Sequence, residues 1–109
     1  MLNKIEIDQK KANEGVWASL LESKFLIASV EGKKFKQAIF NLGSKPLSDD
    51  ELIRIMSESI LLDWQCVKDP NGHWLPYSKQ LAVIALTTND AVRKFVDSVS
   101  TDMSRYFKS

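Results

Sequence analysis

One helix start followed by one turn constrains this chain more than any other feature. Ser48-Asp49-Asp50-Glu51 has the form of a capping box. The Ser48 hydroxyl accepts from the Glu51 backbone N–H, and the Glu51 carboxylate reaches back toward the N–H of Ser48. Asp49 and Asp50 add negative charge at the positive end of the helix dipole. Pro46 disfavours helix at Lys45, so the break upstream is sharp. Leu52, Ile53, Met56, Ile60 and Trp64 then recur at three- and four-residue spacing, widened by Ile55 and Leu62. That spacing predicts one helix from Asp49 to about Trp64, packed on one face.

The periodicity fades near Gln65, and Asp69-Pro70-Asn71-Gly72 is a strong turn signal. Cys66-Val67-Lys68 and His73-Trp74-Leu75 can pair across it as a short, irregular hairpin. Trp64, Trp74 and Tyr77 crowd this span, and each ring can bury roughly 150–250 Å². Their plain role is to pin the loop to the helical core.

The flanking chain fits a single small α+β domain over residues 1–109. Residues 1–13 alternate weakly at Leu2, Ile5 and Ile7 and read as an edge strand or a loose arm. Val16 to Leu20 and Phe25 to Val30 read as the strands of an N-terminal β-hairpin, with a turn at Glu22-Ser23-Lys24. Helix is the competing reading of that segment, because Leu20, Leu21 and Lys24 favour it. Phe35, Ala38, Ile39 and Leu42 form one face of a helix that ends at Gly43. An isolated hairpin is barely stable, so this helix is expected to cover it. Ser78 caps a helix over Lys79 to Leu86, with Leu81, Ala82, Ile84 and Ala85 facing inward. Thr87 to Asp90 interrupt it and cap a last helix carrying Val92, Phe95, Val96, Val99, Met103 and Phe107. Residues 105–109 are expected to fray. The expected fold is therefore mainly helical, about four helices with a small N-terminal hairpin.

Composition excludes several function classes. Fifteen Lys and Arg against fourteen Asp and Glu leave a net charge of +1, unlike a dedicated nucleic-acid binder. Apolar runs fall far short of the ~20 residues a bilayer crossing needs. MLNKIEIDQKK carries no continuous hydrophobic region, so neither a leader nor a membrane role is expected. The single Cys66 rules out an internal disulfide and a multi-cysteine zinc site. It reads as a small apolar packing residue. His73, the only histidine, reads as a turn-surface residue. Asp63 and Asp69 lack the calcium-loop pattern. There is no phosphate-cradling glycine loop and no serine elbow. No catalysis and no cofactor are expected.

The order of features matches a known group. EGVW, KFLIASV, KKFKQAIFNL, ILLDW, VKDPNGHWLPYS and VRKFVDSV together resemble the tail assembly chaperones of long-tailed bacteriophages, in the group with a small α+β, largely helical fold. The likeness runs from about Glu14 to Val99 and is most specific from Leu61 to Ser78. Ser29-Val30-Glu31 departs from the usual basic or asparagine-rich continuation. The resemblance implies a non-catalytic protein of the host cytoplasm, not retained in the virion. Such a protein binds the tape-measure protein before tail tube protein polymerises around it. In many relatives a ribosomal frameshift also yields a longer form that recruits tube subunits. Trp64, Trp74, Leu75 and Tyr77 are the candidate partner-binding residues, since aromatic side chains anchor interfaces. A head–tail connector or tail-terminator subunit is the alternative. A small DNA-binding regulator using Lys24, Lys33, Lys34 and Lys36 is the third reading.

Overall fold

The computed structural model describes residues 6–108 and is α+β and mainly helical. In chain order it has α1 (Gln9–Glu14), β1 (Val16–Leu20), β2 (Ser23–Ile27), α2 (Lys33–Leu42), α3 (Asp49–Ser59), β3 (Leu61–Gln65), α4 (Lys79–Thr88) and α5 (Asp90–Thr101). A 3-10 turn over Met103–Tyr106 follows. The strands form one antiparallel sheet in the order β1-β2-β3.

The expected hairpin is present, and the helical reading of Val16 to Val30 is excluded. Its turn lies one residue earlier than expected, at Leu21-Glu22, because Leu20 pairs with Ser23. The larger departure is the third strand. α3 ends at Ser59, and Leu61-Leu62-Asp63-Trp64 runs extended beside β2 instead of continuing the helix. Two serines in the last turns of α3 turn their hydroxyls back onto the helix, Ser57 to the Arg54 carbonyl at 2.7 Å and Ser59 to that of Ile55 at 2.6 Å, which weakens continuation. The open edge of β2 then offers a backbone ladder that an extended segment satisfies and a helix does not. Pairing sets Phe25 opposite Trp64 and Leu26 opposite Asp63, with a bulge between Leu26 and Ile27.

Strand alternation puts Ala18, Phe25 and Trp64 in one buried row across the sheet. Phe95 of α5 meets that row, its ring centroid 6.2 Å from that of Phe25. The helix expected to cover the hairpin was α2, yet α5 lies against β1 and β2, while α2 packs chiefly on α3 and α1. The difference shows in burial: α5 buries Val96 and Val99, whereas no side chain of α2 is fully buried. Phe35 of α2 is only half-buried against the core, and Ile84 of α4, expected inward, is exposed.

Capping follows the expected residues closely. The hydroxyls of Ser48 and Ser78 accept from the backbone N–H groups of Glu51 and Leu81, and the Asn89 side chain accepts from that of Val92. At Ser48 the reciprocal half differs, since its hydroxyl donates to the Glu51 carboxylate at 3.0 Å.

The first and last described residues are tied together. The edge strand or loose arm expected over residues 1–13 is, from Gln9 to Glu14, a helix whose N-cap Asp8 accepts from the Lys10 and Lys11 N–H groups. Leu2 and Ile5 lie outside the described residues. Ile7 bridges to Phe107, Asp8 N–H donates to the Tyr106 carbonyl at 2.7 Å, and Lys108 N–H donates to that of Glu6 at 2.9 Å. Residues 105–108 therefore do not show the expected fraying, and Ser109 lies outside the described residues. The expected run of one helix to Phe107 is also interrupted, since Asp102 caps the 3-10 turn by accepting from Ser104. That turn swings Tyr106 fully into the interior, where its hydroxyl donates to the Ile27 carbonyl at 2.8 Å. Close packing here demands glycine: a Cβ at Gly32 would stand 2.7 Å from the Ala12 carbonyl oxygen, which accepts from Ser29.

Candidate functional site

The turn after β3 builds a surface from a buried frame. Asp69 closes it, its carboxylate accepting from the N–H groups of Asn71 at 2.9 Å and His73 at 3.0 Å. Gly72 supplies the positive φ of 83° that the turn requires. Asp69 N–H donates to the His73 carbonyl and Leu75 N–H to that of Val67, both at 2.8 Å, and Lys68 bridges to Trp74. This is the short hairpin expected from the sequence.

The four candidate partner-binding residues separate into two groups. Trp64 is 4% exposed, and its indole Nε1 donates to the Leu75 carbonyl at 2.8 Å. Tyr77 stacks edge-on against Trp64 with centroids 5.2 Å apart, and its hydroxyl donates to the Leu61 carbonyl at 2.6 Å. Burial pushes the Tyr77 phenol above its ordinary pKa, and the nearby Asp63 charge adds to the rise. Leu75 is half-buried against the same core. Trp74 stands apart at 66% exposed, with the Lys68 ammonium 4.7 Å from its ring centroid. The structure thus places three of the four in the frame and one on the surface.

Beside Trp74 lies a residue that sequence reading did not single out. Leu21, at the first central position of the β1–β2 turn, has φ of 55° and is 96% exposed. Glycine is the ordinary occupant of such a position, because an L side chain there crowds its own backbone. Cys66, just after β3, also has a positive φ, 59°, and its carbonyl accepts from the Ser23 hydroxyl at 2.8 Å. Cys66 is exposed rather than packed inside, as the sequence led one to expect. Leu21, Glu22, Ser23, Cys66, Lys68 and Trp74 line an open hollow of about 700 Å³ at this end of the sheet. A second hollow of about 350 Å³ shares Cys66 and Trp74 and adds Trp64, Leu75 and Pro76. The turn misplacement hid Leu21; the available signal was an apolar residue between two strands that must reverse direction.

Chemically this surface offers apolar and aromatic contact with a few rim charges. His73 approaches Asp69 at 3.6 Å with its side chain mostly in solvent. Among the described residues no group of three or more His, Cys, Asp or Glu could hold a metal ion. No described helix is long and apolar enough to cross a membrane.

Compared with known proteins, residues 26–109 match the family described as YdaY prophage protein. No curated protein and no solved structure matches the chain. The family match takes in the end of β2, all of β3 and every helix from α2 to α5, well over half the sequence. On that extent, the chain belongs to the YdaY prophage protein family.

Proposed function

We propose that this chain is a non-catalytic tail assembly chaperone. It binds a tape-measure protein in the host cytoplasm, assists assembly of the tail tube, and is not retained in the virion. The observation that carries the reading is the exposed Trp74, held beside Leu21 over an open apolar hollow by a frame of buried, hydrogen-bonded aromatics. Such a surface suits an amphipathic client helix, whose apolar face lies across aromatic anchors. Membership of a prophage family and the sequence resemblance to tail assembly chaperones point the same way. Within this reading Trp74 touches the client, while Trp64, Leu75 and Tyr77 hold it in place. No cofactor, nucleic acid or membrane enters the scheme.

The test is co-expression with the tape-measure candidate encoded nearby, followed by affinity capture and light scattering on a sizing column. The expected result is a soluble complex containing a tape-measure protein that precipitates when expressed alone, and loss of that complex with Trp74→Ala. A folded Trp74→Ala variant that still holds its client removes this surface from the scheme. No complex, together with a discrete ring of this chain that survives high salt, replaces the chaperone by a connector or tail-terminator subunit.

A further inference from the structure

The two outer strands of the sheet are treated differently. At β3 the Trp64 N–H donates to the Asp63 carboxylate at 2.8 Å, the Trp64 indole to the Leu75 carbonyl and the Tyr77 hydroxyl to the Leu61 carbonyl. The chain after the turn thus lies along that strand. β1 has no such cover. The two-residue loop makes Leu20 and Ser23 a hydrogen-bonded pair, and alternation along the ladder then turns Val16, Ala18 and Leu20 toward β2. Trp17 and Ser19 point their backbone N–H and C=O groups the other way, and among the described residues nothing pairs with them.

Edge strands are ordinarily blunted by a lysine, a proline or a bulge, because an open row of backbone groups recruits another strand. Val16-Trp17-Ala18-Ser19-Leu20 carries no charge and no proline, and it pairs with β2 without a bulge. Trp17 is 45% exposed on the face away from the core, and Val16 and Leu20 are only half-buried on the core face. An occupant of this edge is extended, since only a strand's backbone meets both outward residues at once. The strand is complementary to itself. In an antiparallel pair of copies centred on Ala18, Trp17 of each faces Ser19 of the other, and both pairs exchange both of their bonds. A centre at Trp17 or at Ser19 would pair only one of the two residues within the strand. With Ala18 at the centre, two methyl groups meet at the close spacing, about 4.5 Å between Cα atoms. The large Trp17 then lies beside the small Ser19, and Val16 covers Leu20 of the other copy.

We propose that this chain forms a two-fold dimer in which β1 pairs antiparallel with β1 of a second copy, so that one sheet runs through both. The same strand serves on each side, so the contact is isologous and closes at two copies. One strand from each partner forms an interface well below the roughly 800 Å² per partner of stable complexes, and the dimer is accordingly weak. No ionic group takes part in the ladder, so its strength is insensitive to salt. This contact does not depend on the chaperone reading.

Sedimentation velocity on the full chain over a concentration series tests it, at about 0.01 M and about 1 M ionic strength. The expected mass rises with concentration to twice that of one chain and no further, alike in both salts. Ser19→Pro removes an outward N–H and no bond to β2, so it is expected to stay folded by circular dichroism and to weaken association about tenfold or more. Trp17→Lys places on the edge the charge that such strands ordinarily carry, and is expected to weaken association in the same way. In a Cys66→Ser background, Ala18→Cys is expected to link two copies on mild oxidation. Ser19→Cys, whose copies are diagonal neighbours roughly 7–8 Å apart, is expected not to. A wild-type chain that stays monomeric overturns the proposal and leaves the edge to an extended segment of a different protein. Growth past two copies overturns it too, as does an Ala18→Cys chain that does not cross-link. So do folded Ser19→Pro or Trp17→Lys chains that associate like the wild type.

Discussion

Trp64 and Trp74 sit ten residues apart in one stretch of sequence, and the fold treats them oppositely. Trp64 lies on β3, where alternation points it into the row with Ala18 and Phe25, and its one polar atom finds the Leu75 carbonyl. Trp74 lies on the returning arm of the turn, beyond the sheet, with only the Lys68 ammonium over its ring. Burial of an aromatic is thus decided by the direction its backbone imposes, not by its hydrophobicity. The two are also coupled: the buried indole bonds to the carbonyl of Leu75, the neighbour of the exposed one. A rigid interior positions a surface that contributes little to stability.

Replacing Trp64 by Ala should break this contrast most severely, costing about 3–5 kcal/mol in denaturant unfolding, since it empties a packed site beside Phe25 and Tyr77. Trp74→Ala should cost less than about 1 kcal/mol, the loss of one exposed cation–π contact, while abolishing client capture. Equal losses from the two would put Trp74 in the core and end the comparison.

The second largest effect is expected at Tyr106. Tyr106→Phe strands the Ile27 carbonyl in the interior and should cost about 1–3 kcal/mol. Burial pushes the Tyr106 phenol up to about 12 from an ordinary value of 10.0. The folded state then keeps a proton that the unfolded chain releases. The contribution is intact below pH 10 and is lost as pH rises through 10 toward about 12. Equilibrium unfolding across that window should show the fall, and Tyr106→Phe should flatten it.

Leu21→Gly should act in the opposite direction to these changes, raising stability by about 1 kcal/mol or less. It removes a strained left-handed leucine from a position glycine adopts freely, offset by the greater freedom of glycine in the unfolded chain. A thermal melt measures it. If Leu21→Gly also weakens client capture, the strain is the cost of presenting an apolar contact. A destabilised variant would show instead that Leu21 makes packing contacts at this end of the sheet.

Much of the fold was legible because it rests on local physics. Ser48, Ser78 and Asn89 announce helix starts through hydrogen bonds spanning three residues, and each caps a helix where expected. The Asp69 to Gly72 turn is equally local. Leu61 to Trp64 was not legible, because its leucines suit a helix and its apolar spacing continues that of α3. The candidate site was half legible: aromatic content marked the stretch, but nothing in it distinguished Trp64 from Trp74.

Sequence alone therefore determined where helices begin and where the chain turns after β3, since each depends on neighbours a few residues away. Tertiary structure decided that Leu61 to Gln65 is a strand, because the open edge of β2 had to be paired by a segment more than thirty residues along the chain. It also decided that α5 rather than α2 covers the sheet, because α5 carries the side chains that fill the space above Phe25. Both outcomes follow from long-range satisfaction of backbone hydrogen bonds and apolar volume, which no local window of residues contains.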